Sequence, residues 1–196
     1  MTRAAERAAA AVALTLAVAL TTGGCTGSDD SSDGAPTASS ASTTEREVVP
    51  QVSLGKVTGT LPAAEGEHLV SDVGDVVAGW VHAAYLDGSY PRRDFSDVWP
   101  GFTNGARAEA HEDRALMSNE DIGDRIDGID PHKIAVRLDV LAVKKHPVGV
   151  TAHVYVGFGT TGDLEKQVRV KGRLFLTRDD GGDWQVFGYD VTKGAV

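Results

Sequence analysis

From Ile134 onward the chain alternates. Ile134, Val136, Leu138 and Val140 form one apolar series of period two, and Val148, Val150, Ala152, Val154, Val156 and Phe158 form a second. Val168, Val170, Leu174 and Leu176, with Gly172 among them, form a third, and Trp184 and Val186 open a fourth. A period of two sends successive side chains to opposite faces of an extended strand. The breaks KKHP, GTTGD and RDDGGD between the runs are short, so neighbouring strands are expected to pair as an antiparallel meander.

Upstream the period becomes helical. Leu69, Val73, Val77, Trp80 and Ala84 are spaced 4, 4, 3 and 4, which places them on one face of a helix with Gly88 as its stop. A shorter helix is expected at Asp94 to Trp99, ended by Pro100 and Gly101, because proline disfavours helical geometry in the residue before it. Thr103 offers an N-cap for a third helix through NGARAEAHEDRALM. Val52 to Pro62 alternates weakly and carries Gly55, Gly59 and Pro62, so it reads as an edge strand or an ordered lead-in. Ile122, Ile126 and Ile129 lie among glycines and aspartates, and the pattern assigns them to no element. Helices followed by a long-stranded antiparallel sheet predict an α+β domain with its N-terminal helices packed on one sheet face.

The first residues follow a different plan. Arg3 and Arg7 precede the apolar run Ala8 to Leu20, broken only by Thr15, and Thr21 to Gly24 are small. This is the charged, apolar and small-residue order of an export signal, and the run is shorter than the ~18 residues of a spanning helix. The only cysteine, Cys25, follows two glycines and resembles the lipobox of bacterial lipoproteins, with Thr22 standing where that pattern has an aliphatic residue. The resemblance implies cleavage after residue 24 and a lipid on the Cys25 sulfur. The alternatives are a conventional signal that leaves a free thiol, and an uncleaved anchor; two acyl chains give the stable attachment that one does not. Residues 25–46 read as a flexible linker, of which Thr26 to Thr44 are Ser, Thr, Asp, Gly, Ala and a single Pro, a composition that builds no core and, as a coil, spans roughly 25 Å. The remaining segment, 47–196, is the size of one domain and is expected to bury roughly 70% of its unfolded surface.

Charge narrows the partners. The chain carries −9, and loss of Arg3, Glu6 and Arg7 with the signal leaves it one charge more acidic. Such a domain repels nucleic acid and anionic lipid, so nucleic-acid binding is not expected and the lipid is what brings it to the membrane.

VVAGWVHAAYLDGSYP, DFSDVWPGFT, LDVLAV and GRLFLTRDDGGDWQVFGYDVTKG resemble exported actinobacterial proteins with the nuclear transport factor 2-like fold, over about Leu69 to Val196. The resemblance implies a cone in which a strongly curved, mostly antiparallel sheet wraps three helices, often with a pocket at the wide end. That fold hosts enzymes, binding modules and scaffolds, so it does not decide activity. VVAGWVHAAYLDG is similar to the first helix of ketosteroid isomerase, but the catalytic tyrosine of that enzyme falls at Trp80, whose indole donates a hydrogen bond and not a proton. FTNGARAEAHED, where the base belongs, has no equivalent of it.

The remaining candidates come from residue types and spacing. Trp80, Tyr85, Tyr90, Phe95, Trp99 and Phe102 cluster around the first two helices; they read as the lining of a pocket for a small apolar ligand or as core. His82 and Tyr85, with Asp87 and Asp94, offer an acid-base pair. AHED, Ala110 to Asp113, combines imidazole and carboxylates, but adjacent helical residues point about 100° apart, so no metal is expected. GFGTTG, Gly157 to Gly162, matches the dinucleotide fingerprint in letters yet lies between strands, so no cofactor is expected. With the aliphatic residues facing the helices, the other sheet face carries Arg137, His153, Tyr155, Arg169, Lys171 and Arg173. That is an ordinary solvated face, or a docking face for an anionic partner or a second copy, since proteins of the fold it resembles often dimerise there. The expectation is a lipid-anchored, extracytoplasmic, non-catalytic domain at the cell membrane that binds a small apolar ligand or an envelope protein. The alternative is a dehydratase- or isomerase-type enzyme with a His and carboxylate pair.

Overall fold

A computed structural model describes residues 48–196; the export segment, Cys25 and the linker lie outside the described residues. The chain forms β1 (Gln51–Thr58), α1 (Ala63–Val81) with a π-helical turn at His82–Leu86, α2 (Asn104–Glu112), α3 (Arg114–Met117), β2 (Gly128–Val143), β3 (His146–Thr161), β4 (Gln167–Arg178) and β5 (Trp184–Ala195). The domain is α+β. One five-stranded sheet runs in the order β1-β2-β3-β4-β5, with β2 to β5 an antiparallel meander and β1 parallel to β2 at the edge. The helices lie between β1 and β2 in sequence, and that long crossover returns the chain in the same direction, as a parallel pair requires.

The alternation predicts the buried face well. Ile134, Val136, Leu138, Val140, Val150, Ala152, Val154, Val156, Phe158, Val168, Val170, Leu174, Leu176, Trp184 and Val186 are all buried. Val148 is the exception, 44% exposed. Its strand carries a bulge, in which Leu141 pairs with Gly149 and Ala142 with Pro147, and a bulged residue leaves the ladder and loses its face. A second bulge pairs Phe175 with Gly188 and Leu176 with Val186. It turns Phe187 outward, 54% exposed, and resets the phase of β5. Beyond it Tyr189, Val191 and Lys193 face the helices: the Tyr189 hydroxyl donates to Asp113 at 2.9 Å, and Lys193 Nζ donates to the Ser118 carbonyl at 2.6 Å and pairs with Asp121.

α1 buries Leu69, Val73, Val77 and Trp80, and Ala84 follows them inward on the π turn. Burial of each large side chain contributes roughly 2 kcal/mol. Gly88, at φ +111°, ends the run. The helix expected at Asp94–Trp99 is not formed. Asp94 Oδ1 accepts from the Ser96 backbone N–H at 3.0 Å and from its hydroxyl at 2.7 Å, a local bond that competes with a helical one. The third helix is capped as expected, Thr103 Oγ1 accepting from the Ala106 N–H at 3.2 Å, but it breaks at Asp113 into α2 and α3. Ile122 and Ile126 are buried in the turns that follow, and Ile129 enters β2. Among the described residues no helix is long and apolar enough to cross a membrane.

Candidate docking face

The face of the sheet away from the helices is laid out by strand register. Arg137 pairs with His153, His153 with Arg173, and Arg173 with Asp190; Ser53 of β1 extends this row on its other side. The next row joins Ala135, Tyr155, Lys171 and Thr192, and the one after it Gly157, Arg169 and Gly194, with Lys133 opposite Gly157. All six residues expected on this face are therefore brought together on it. The Tyr155 ring lies beside Gly157, where a Cβ would stand 3.5 Å from it, and Lys133 Nζ sits 5.5 Å from the ring centroid.

Asp139 is the hub of the face. Its carboxylate accepts from the Lys56 backbone N–H at 2.9 Å and from His153 Nε2 at 2.9 Å, with Arg137 3.7 Å away. The Lys56 N–H, then His153 and Arg137, hold the Asp139 carboxyl below the usual carboxylate range. Arg173 pairs with Asp190 and lies over the Phe175 ring. Two shallow concavities flank the hub. One, of about 350 Å³, has Lys56, Thr58, Leu141, Phe175 and Phe187 in its walls; the other, of about 390 Å³, has Gln51, Ser53, Arg137, His153 and Tyr155. A third, of about 400 Å³, lies at the far end beside Asp130, Thr160 and Lys166.

The other candidates sit elsewhere. Trp80, Tyr85, Phe95, Trp99 and Phe102 are buried in the hydrophobic core, and Tyr90 is half-buried against them. Trp80 meets Tyr85 edge-on at 5.4 Å and Phe102 at 6.1 Å, and Tyr85 lies 6.2 Å from Phe158 of the sheet. None of the six stands in the walls of the three concavities. The Trp80 indole donates to the Met117 carbonyl at 3.2 Å. The Tyr85 hydroxyl donates to the Leu116 carbonyl at 2.7 Å, and burial, then Asp121, push its pKa well above the ordinary value.

Of the acid-base candidates, His82 and Asp87 do pair, at 3.0 Å, with 36% and 64% of their side chains exposed. Tyr85 points into the core, and Asp94 is engaged by Ser96. The AHED residues diverge: Ala110 is core, the His111 ring meets Trp99 at 6.0 Å, and Asp113 accepts from Tyr189. Among the described residues no three His, Cys, Asp or Glu side chains converge on a metal position. GFGTTG ends β3 and turns at Gly162, φ +101°, towards β4, so a strand and not a helix follows it.

Sequence reasoning missed Asp139, Phe175 and Phe187. The first two were available, because the alternation that buries Leu138 and Leu174 turns their neighbours outward. Phe187 was not, since its direction depends on the bulge. Comparison with protein-family models, curated proteins and solved structures finds no match to this chain.

Proposed function

We propose that this is a nuclear transport factor 2-like domain, exported and lipid-anchored through Cys25, that acts without catalysis by docking an envelope protein on the outer face of its sheet. The observation that carries this reading is the outer face itself. The aromatics read from the sequence as a pocket lining pack against one another in the core, whereas two open concavities flank the Asp139 hub on the outside. The His82–Asp87 pair is partly exposed and lies apart from these concavities, which favours docking over the enzymatic alternative. The five-stranded mixed sheet with helices on one side is compatible with the cone.

The test is the double change Arg169→Glu with Arg173→Glu in the full-length protein. Loss of partner capture with an unchanged melting temperature supports the docking face; unaltered capture and unaltered self-association contradict it. Cys25→Ala tests the anchor separately, since it should release the protein from the membrane fraction and leave its fold unchanged.

A further inference from the structure

The outer face also limits the chemistry of its partner, an inference that rests on the docking reading above. Along β4 the outward side chains are Arg169, Lys171, Arg173 and Phe175, every second residue, and so spaced about 7 Å apart. Asp190 answers Arg173, and Asp139 answers Arg137 and His153. Among the described residues, Arg169 and Lys171 have no carboxylate within ion-pair distance. This concentration of positive charge lies in a chain of net charge −9, so it selects carboxylate-bearing partners and rejects cationic ones.

At the end of this line the face becomes apolar. Phe175 and Phe187 lie 6.3 Å apart and, with Leu141, wall the concavity of about 350 Å³. Leu141 and Phe187 are half exposed and adjoin Phe175, and contiguous exposed apolar side chains rimmed by charge mark an interaction surface. An extended peptide repeats its side chains on one face at the same spacing of about 7 Å. A second copy of this domain would bring the same cations to the contact and be opposed by them.

We infer that the face accepts an extended segment of a protein partner, laid along β4, whose alternate residues are acidic and end in an aromatic or aliphatic side chain. The carboxylates meet Arg169 and Lys171, beside the Arg173–Asp190 pair, and the apolar side chain enters the groove between Leu141, Phe175 and Phe187.

Three synthetic peptides of equal length test this on the full-length protein in mild detergent: alternating glutamates ending in phenylalanine, the same with lysine for glutamate, and the same with serine for phenylalanine. The glutamate–phenylalanine peptide should bind at least about tenfold more tightly than the lysine peptide and more tightly than the serine one. Its affinity should fall as salt is raised, and should fall about tenfold both in Arg169→Glu with Arg173→Glu and in Phe187→Ser. Thermal melts of these variants check that the fold is kept. Equal binding of the glutamate and lysine peptides, or no effect of the charge reversal, overturns the inference. So does preferential binding of phosphatidylglycerol vesicles or self-association through the same residues. If no peptide binds but a photo-reactive side chain at Tyr155 captures an envelope protein in cells, the acidic-apolar rule falls and the docking face stands; if neither occurs, both fall.

Discussion

His153 Nε2 donates to the Asp139 carboxylate at 2.9 Å, and Gly55 on β1 leaves the space in which that carboxylate lies, since a Cβ at Gly55 would come within 2.3 Å of Oδ1. The edge strand, the hub and the basic rows are thus one construction: β1 contributes a bare backbone and the Lys56 N–H, and β2 and β3 contribute the ionisable pair.

A pH dependence follows. The folded Asp139 pKa lies below its unfolded value, so the stability it contributes is present above the ordinary carboxylate range and is lost as pH falls through the folded value. Asp139→Asn should therefore melt below the wild type near neutrality, and the gap should narrow as pH is lowered below the ordinary carboxylate value of about 3.9. A gap that stays constant over that range would show that the carboxylate charge plays no part.

Gly172 tests the packing of the meander. A Cβ there would lie 2.1 Å from the Asp190 carbonyl oxygen and 2.6 Å from the Val191 Cα, backbone atoms that move only if β4 and β5 separate. Gly172→Ala should cost about 3 kcal/mol in urea unfolding. Gly194→Ala on β5, where nothing lies within 4 Å, should cost less than about 1 kcal/mol.

Lys193 and Asp121 tie the end of β5 to the segment after α3. The ammonium is buried, with 7% of the side chain exposed, and burial lowers its pKa while Asp121 opposes that shift. Asp121→Ala should cost about 3 kcal/mol at neutral pH because it leaves a buried charge without its partner. With the folded pKa depressed, the unfolded state binds more protons, so the variant should recover stability as pH rises towards about 10. Chemical denaturation at two pH values measures both effects.

His82→Ala should change stability by less than about 1 kcal/mol, because its pair with Asp87 is partly exposed. Partner capture should be unchanged, since the pair lies on the π turn after α1 and not on the docking face.

Much of the fold was legible because its signals are local. Period two marked Ile134 to Leu176, and spacings of three and four marked Leu69 to Ala84, since each periodicity reflects one buried face. The residues of the outer sheet face followed from the same phase: what lies between buried aliphatics points outward. What could not be read depends on pairing or on competing local bonds. Val148 and Phe187 turn outward only because bulges shift the register between strands distant in sequence. Asp94 prefers its bond to Ser96 over a helical start, and Asp113 interrupts a segment of good helix formers. The parallel setting of β1 depends on where the helical crossover returns the chain, which no short stretch encodes.

The central claim, an anchored domain that docks a protein and holds no small molecule, is tested most directly by the native mass spectrum of the full-length protein, produced in an actinobacterial host and extracted from its membranes in mild detergent, before and after gentle unfolding. The account predicts a chain that begins at diacylated Cys25, carries a protein partner, and releases no small molecule when unfolded. A lipidated chain that retains an apolar small molecule until the fold opens would contradict it and return the aromatic cluster around Trp80 to the role of a pocket.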